Sequence, residues 1–203
     1  MENKIIITIG RQYGAGGRSV AASISQKLGI PVYDNDLLTE AAKESGYSPD
    51  LFKKRDEKRH LFSLAHLFSS RESDTPHYLG DDTLFQIQSD VMRDIAEKGS
   101  CVIIGRCSNY ILRDMPEALH VFLTSPLDVR VDRVVKRMGV DEETARKIIA
   151  KKEKNRIDYY NRYTLTRWGQ ASIYDLCMDS SILGIDGTAD MIIEFSEKKG
   201  LLK

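Results

Sequence analysis

The chain has 203 residues, of which 41% are hydrophobic and 30% are charged. This composition is typical of a folded globular domain and excludes a disordered chain of low hydrophobicity and high charge. The 30 basic and 30 acidic residues cancel, so the chain has no overall field that would attract nucleic acid or an anionic membrane.

Five short segments rich in isoleucine and valine predict buried β-strands, at residues 4–9, 30–33, 101–104, 119–123 and, more weakly, 182–185. They are apolar on both faces, as parallel strands covered by helices are. Helical patterns lie between them, at residues 17–27, 36–43, 84–95, 127–138 and 189–198. The alternation predicts a single α/β domain over residues 1–203, with a five-stranded parallel sheet and helices on both faces.

Two stretches do not follow this alternation. Residues 45–81 are too long for a simple connection and carry short apolar pieces, which predicts an inserted, partly helical cap. Residues 141–174 form a charged helix that ends in "KNRIDYYNRYTLTRWGQ", without a buried stripe near its end, and predict a flap over a site. A solvated, salt-bridged surface is the alternative for both stretches.

A glycine-rich turn, "GRQYGAGGRS", connects the first predicted strand to the first predicted helix. Such a turn provides unpaired N–H groups and the positive end of a helix dipole, both of which suit phosphate. Glycine allows the backbone to approach phosphate oxygens closely, and a serine hydroxyl at the helix start can reach Mg²⁺. The candidate phosphate-binding residues are Arg11, Gly14, Ala15, Gly16, Gly17, Arg18 and Ser19.

The strict P-loop pattern G-x-x-x-x-G-K-[ST] is nevertheless incomplete. With Gly16 as its second glycine, the lysine position is Gly17 and the first glycine position is Arg11. With Gly17 as its second glycine, these positions are Arg18 and Gln12. Arg18 or Arg11 could supply the missing charge, because guanidinium binds phosphate well.

A dinucleotide-binding fingerprint is a rival interpretation of the same turn. Gly14 and Gly16 are followed about 20 residues later by Asp34, as that fingerprint requires. Its third glycine would be Ser19, and it does not explain a flap rich in arginine and aromatic residues. Phosphoryl transfer is therefore the favoured interpretation.

The three cysteines are odd in number and lack metal-ligand spacing, which predicts reduced thiols, with Cys101 and Cys177 in the core. The start of the chain has no apolar signal core, and no apolar run approaches the roughly 18 residues that span a bilayer. We therefore expect a cytoplasmic protein that contacts neither membrane nor nucleic acid.

The chain resembles the cytidylate kinase-like proteins, a divergent branch of the P-loop nucleoside monophosphate kinases. The resemblance rests on five motifs in the right order: "GRQYGAGGRS", "PVYDNDLL", "IIGRCSNYIL", "NRIDYYNRYTLTRWG" and "MDSSIL". It implies a P-loop NTPase-type three-layer sandwich, with residues 45–81 as acceptor-binding insertion and 141–174 as lid. It also implies ATP as donor, Mg²⁺ and a pyrimidine nucleoside monophosphate such as CMP or dCMP as acceptor.

The resemblance also implies roles for particular residues. Arg106 would grip the acceptor phosphate, while Arg156 and Arg162 would fold from the lid onto the transferring group, alongside Arg18. Asp34 and Asp179 would contact the acceptor, and Ser19 with Asp34 would hold Mg²⁺.

Each of these roles has a simpler alternative. Arg106 could be a surface ion-pair partner, and Arg156 and Arg162 could be exposed helix charges. Asp34 could cap the helix that begins near residue 36.

The chain departs from cytidylate kinases at three points. The loop lysine is absent, Cys107 replaces the acidic residue after glycine-arginine, and Glu40 stands where an arginine is expected. A second hypothesis follows: a P-loop protein that binds nucleotide as a sensor, with little or no turnover. A kinase for another small acceptor is a third possibility.

Overall fold

The computed structural model describes residues 4–44 and 78–202. The predicted insertion at residues 45–81 therefore lies almost entirely outside the described residues. Among the described helices, none combines the length and the apolar character needed to cross a membrane.

Five parallel strands form one sheet in the order β2-β3-β1-β4-β5. Their bounds are Ile6–Arg11 (β1), Val32–Tyr33 (β2), Cys101–Ile104 (β3), Ala118–Thr124 (β4) and Leu176–Asp179 (β5). β1 lies at the centre, and the chain continues to β2 and β3 on one side of it and to β4 and β5 on the other. Ligands of open α/β sheets bind at the carboxyl ends of strands beside such a reversal of strand order.

Seven α-helices occur in the described residues. They are α1 (Gly17–Leu28), α2 (Asn35–Glu44), α3 (Tyr78–Lys98), α4 (Ser108–Ile111), α5 (Leu127–Met138), α6 (Glu142–Tyr163) and α7 (Gly184–Lys198). A short 3₁₀ helix spans Ala171–Ile173.

The sheet is covered on both faces because successive side chains of β1 point in opposite directions. Ile6 packs with Met92 of α3 in one buried cluster. Ile7 packs with Val20 of α1 and Ile192 of α7 in another. The predicted parallel sheet with helices on both faces is therefore confirmed.

The prediction of the fifth strand is wrong. The strand spans Leu176–Asp179, whereas Ile182 and Leu183 are exposed and precede α7. Among the described strands β5 is an edge strand beside β4, and only its Leu176 and Met178 pack into the core, so its apolar pattern is weak.

The prediction for the cysteines is half right. Cys101 is buried, but Cys177 is exposed. On β5, Leu176 and Met178 pack into the core, and the residue between them faces the opposite side of the strand.

The expectation of no buried stripe near the end of α6 is also wrong. Tyr160 is buried, and its hydroxyl accepts a hydrogen bond of 3.0 Å from Asn109 Nδ2. The ring of Tyr163 stacks on Phe85 of α3, with a centroid distance of 4.2 Å and an interplanar angle of 8°. The end of α6 is thus packed against α3 and α4.

A buried polar pair joins β1 to β4. The hydroxyl of Thr8, which is fully buried, lies 2.8 Å from His120 Nδ1. Burial lowers the pKa of His120 below its ordinary 6.5; the Asp175 carboxylate opposes this shift and the Lys199 ammonium adds to it.

We expect His120 to make the protein less stable as the pH falls below about 6.5. In this window the unfolded chain binds a proton at residue 120 that the folded chain does not, so the free energy of unfolding decreases with falling pH. Urea unfolding between about pH 7.5 and 5.5 should show a smaller loss for His120→Gln than for the parent protein. Equal losses in the two proteins would contradict the assignment.

Candidate active site

The glycine turn between β1 and α1 has an open helix N-terminus. Gly16, with φ 79°, occupies the N-cap position, and Gly14 has φ 87°. Both lie in the left-handed region that favours glycine. Gly16 has no side chain to cap α1, so the first N–H groups of the helix and the positive end of its dipole suit an anion.

Side chains of other elements hold the turn in this shape. Ser180 Oγ donates to the Ala15 carbonyl at 2.6 Å, and Arg133 donates to the Gly14 carbonyl at 3.3 Å. Because the N–H of a trans peptide points away from its C=O, the N–H of Gly16 faces away from Ser180. A Cβ on Gly16 would lie 2.6 Å from Ile185 Cδ1, at the tip of a side chain that can shift, so the positive φ is the stronger reason for glycine at this position.

Helix α6 is attached to the same turn. Glu153 accepts from the Tyr13 N–H at 3.2 Å and pairs with Arg130 at 2.8 Å. The Arg130 side chain is only 8% exposed, so this ion pair is largely shielded from water. Arg156 donates to the carbonyl of Arg11 at 2.9 Å and lies over the ring of Tyr13.

Four arginines converge beside the turn. The pKa of Arg11 is lowered to about 9, chiefly by burial and then by the positive charges of Arg156, Arg18 and Arg106, in that order. The Asp34 carboxylate opposes this shift. Burial also lowers the pKa of Arg156. Such a concentration of like charge is unfavourable unless a polyanion neutralises it.

Asp34 has two partners. Its Oδ1 accepts from the N–H groups of Asp36 and Leu37 at 3.0 and 3.3 Å, which caps the start of α2. Its Oδ2 pairs with Arg18 at 2.8 Å. The capping alternative is therefore confirmed, and contact with an acceptor or a metal remains a prediction.

A cavity of about 490 Å³ lies between the carboxyl ends of β1 and β3 and helix α6. Its lining includes Arg11, Arg106 and Arg156, together with Asn109 and Tyr159. This volume is within the usual range for small-molecule sites.

The turn that presents Arg106 to the cavity has an unusual backbone. Gly105, Arg106 and Cys107 have φ values of 74°, 54° and 59°, all in the left-handed region. Such strain in residues other than glycine persists where surrounding structure holds it, and it is frequent at functional sites. The Arg106 guanidinium lies over the ring of Tyr159, 4.7 Å from its centroid.

A model of the cytidylate kinase-like family matches residues 6–182. The chain belongs to the cytidylate kinase-like family.

Similar proteins cover most of the chain. A cytidylate kinase from Methanopyrus kandleri is 27% identical over 197 residues, which are 93% of this chain and 91% of the relative. A cytidylate kinase from Pyrococcus horikoshii is 30% identical over 182 residues, which are 89% of this chain and 82% of the relative. Family membership supports a nucleotide kinase-like function.

Solved structures support the fold. An uncharacterized protein from Eubacterium ventriosum aligns with a TM-score of 0.75 at 32% identity, over 96% of this chain and 99% of that one. A shikimate kinase from Bacteroides thetaiotaomicron aligns with a TM-score of 0.55 at 16% identity, over 95% and 98%. The predicted P-loop NTPase-type fold is confirmed.

Of the residues that the sequence assigned to the site of this cytidylate kinase-like protein, Arg11, Arg106 and Arg156 line the cavity, whereas Arg162 and Asp179 neither line it nor belong to the glycine turn. Arg162 pairs with Asp82 of α3 at 2.8 Å. Asp179, at the end of β5, accepts from the N–H and hydroxyl of Ser181 at 2.8 and 2.6 Å. Asp179 is not among the residues that line the cavity.

The predicted metal ligands Ser19 and Asp34 lie on α1 and just before α2, and their role as metal ligands remains a prediction. Ser19 is exposed on the first turn of α1, and Asp34 is held by Arg18 and α2. In residues 4–44 and 78–202, no group of three or more His, Cys, Asp or Glu side chains could hold a metal ion. Burial raises the pKa of Cys107 to about 12, so this side chain is a neutral thiol near pH 7.

Sequence reasoning did not identify the residues that support the turn. Glu153, Arg130, Arg133 and Ser180 act from three different elements. Arg130 and Arg133 could have been found from the sequence, because their i,i+3 spacing places both on one face of the helix after β4.

We expect Glu153→Ala to destabilise the protein by about 3 kcal/mol, because it leaves the buried Arg130 guanidinium without its carboxylate. The control is Glu143→Ala, which removes an exposed pair with Lys147 on the same helix. Urea unfolding should show a large loss for the first variant and little change for the second. Similar losses in both would contradict the role of Glu153.

Proposed function

We propose that this protein transfers the γ-phosphoryl group of ATP to a nucleoside monophosphate, with CMP or dCMP as acceptor. The convergence of Arg11, Arg18, Arg106 and Arg156 between an uncapped helix N-terminus and a cavity carries this proposal. Phosphoryl transfer requires mainly positioning and neutralisation of charge around two polyanions. The similar cytidylate kinases support the choice of acceptor.

The glycine turn would hold the phosphates of ATP, on the N–H groups of residues 14–19. Mg²⁺ usually takes one or two protein ligands and completes its shell with phosphate oxygens and water. The residues fit such an ion in part, because one of the two candidate ligands, Asp34, is paired with Arg18. Ser19 would supply a hydroxyl. Asp34 would become available once Arg18 turns to the phosphates. When bound, the ion would neutralise charge on the phosphates.

The acceptor would occupy the cavity, with its phosphate on Arg106. Asn35, Asn109 and Asn155 line the same cavity and provide amide groups that could form hydrogen bonds with a base or sugar. Residues 141–174 would serve as the lid. Arg162 would reach the transferring group only after its ion pair with Asp82 opens.

The second candidate is a nucleotide sensor of the same fold. The neutral Cys107 thiol and the occupied Asp34 carboxylate favour it, because both weaken the metal site. The two candidates differ in one measurement: a sensor binds ATP in calorimetry and releases no ADP.

The test of the kinase proposal is ADP release with ATP, Mg²⁺ and each of CMP, dCMP, UMP, AMP and GMP. We expect CMP or dCMP to stimulate release most, since the acceptor cavity is the one that the family resemblance assigns to a pyrimidine nucleotide. Stimulation only by another small acceptor would move the protein to a different kinase class. ATP binding without release under any of these conditions would favour the sensor.

We expect Arg106→Ala to raise the acceptor KM and to lower kcat/KM about a hundredfold, because the variant loses a cation that faces the acceptor phosphate. Arg113→Ala is the matched control, since Arg113 also lies over a tyrosine ring but is exposed and outside the cavity. Steady-state kinetics should separate the two variants. Unchanged kinetics in Arg106→Ala would remove Arg106 from the site.

A further inference from the structure

The start of α1 shows which register of the P-loop pattern applies. Gly16 is the N-cap, and the helix begins at Gly17. The strict pattern places its lysine directly after its second glycine, at the helix start. In this chain that position is Gly17, and the position of the first glycine is Arg11.

Arg11 occupies the space that a side chain on residue 17 would need. A Cβ on Gly17 would lie 2.8 Å from Arg11 Cγ and 3.3 Å from its Cδ. The first distance is shorter than real Cβ atoms show, so the folded chain cannot hold both side chains without a shift. Arginine at position 11 and glycine at position 17 therefore belong together.

The Arg11 guanidinium ends between the glycine turn and the cavity. A Cβ on Gly105 would overlap Arg11 Nη1, so this nitrogen lies directly against the end of β3. Gly105, Arg11 and Arg106 all line the cavity. One cation thus faces both the proposed donor site and the proposed acceptor site.

The charges around Arg11 favour the binding of an anion to its guanidinium group. Within residues 4–44 and 78–202, Arg11 forms no ion pair, and three other guanidinium groups repel it. Arg18, the other candidate for the missing cation, is 67% exposed and already paired with Asp34. A partly buried cation without a carboxylate partner binds phosphate more favourably than an exposed, paired one.

We propose that Arg11 replaces the P-loop lysine as the catalytic cation at the transferring phosphoryl group. This proposal rests on the proposed function and deepens it. In the reaction, an oxygen of the acceptor phosphate forms a bond to the γ-phosphorus. The bond from that phosphorus to the β–γ bridging oxygen breaks, and its electron pair leaves with ADP. Arg11 stays protonated and donates hydrogen bonds to two oxygens at once, which the single ammonium of lysine does not do in the same planar geometry.

The test compares the parent protein with Arg11→Met, Arg11→Gly and the double variant Arg11→Gly/Gly17→Lys. Arg11→Met keeps an unbranched chain over Gly17 and removes the guanidinium, with its charge and its N–H donors. We expect its Kd for Mg·ATP to rise at least about tenfold and its kcat to fall about a hundredfold. Arg93→Met, which removes an exposed guanidinium paired with Asp90 on α3, is the control and should leave both unchanged.

The double variant restores the strict G-x-x-x-x-G-K spacing with a lysine at the helix start. We expect the double variant to bind Mg·ATP at least about tenfold more tightly than Arg11→Gly, because the lysine at position 17 restores a cation near the phosphates. Thermal unfolding of each variant checks that it is folded. A folded Arg11→Met protein with the parent Kd and kcat would overturn the proposal, and so would a folded double variant that binds no better than Arg11→Gly.

Failure of the proposed function looks different. In that case the parent protein transfers phosphate to no acceptor, and the Kd for Mg·ATP still decides the role of Arg11.

Discussion

The site depends on holding several guanidinium groups close together against their mutual repulsion. Local contacts make this possible. Arg156 donates to a backbone carbonyl, Arg106 lies over Tyr159, and Arg18 has the Asp34 carboxylate. None of these contacts neutralises Arg11, whose pKa is lowered by burial and by its positive neighbours. The folded protein therefore keeps a local positive field although its total charge is zero. A bound polyphosphate would relieve that repulsion, which links ligand binding to stability.

The glycine turn is supported by residues of other elements. Arg133 and Ser180 hold its carbonyls, and Glu153 of α6 holds the Tyr13 N–H. Helix α6 also brings Arg156 to the carbonyl of Arg11. An outward movement of α6 would break the hydrogen bonds of Glu153 and Arg156, so the position of α6 and the shape of the glycine turn are coupled. The ion pair of Glu153 with Arg130 extends this coupling to α5.

The sequence predicted the elements whose local pattern is strong. Cys101–Ile104 is apolar throughout and is buried between two neighbouring strands, and its predicted bounds match the structure. The position of β5 was predicted wrongly, because an edge strand needs few apolar residues. The exposed Ile182 and Leu183 form a short apolar run that resembles the pattern of a strand. The glycine turn and Arg106 could be predicted because both follow a strand at the end where ligands bind. The direction of the Arg11 side chain and the hydrogen bond between Tyr13 and Glu153 could not be predicted. Both depend on contacts between residues that only the tertiary fold brings together.

The central claim is that clustered guanidinium groups and helix N–H groups bind the phosphates of a nucleotide. The most direct test is the melting temperature with ATP, with inorganic tripolyphosphate and with adenosine, at matched ionic strength. A ligand at a hundred times its Kd stabilises the folded state by about 2.7 kcal/mol, and each kcal/mol corresponds to about 2–4 °C for a chain of this size. We predict that tripolyphosphate gives most of the increase seen with ATP, and that adenosine gives little. An increase with adenosine equal to that with ATP, or no increase with tripolyphosphate, would contradict the account.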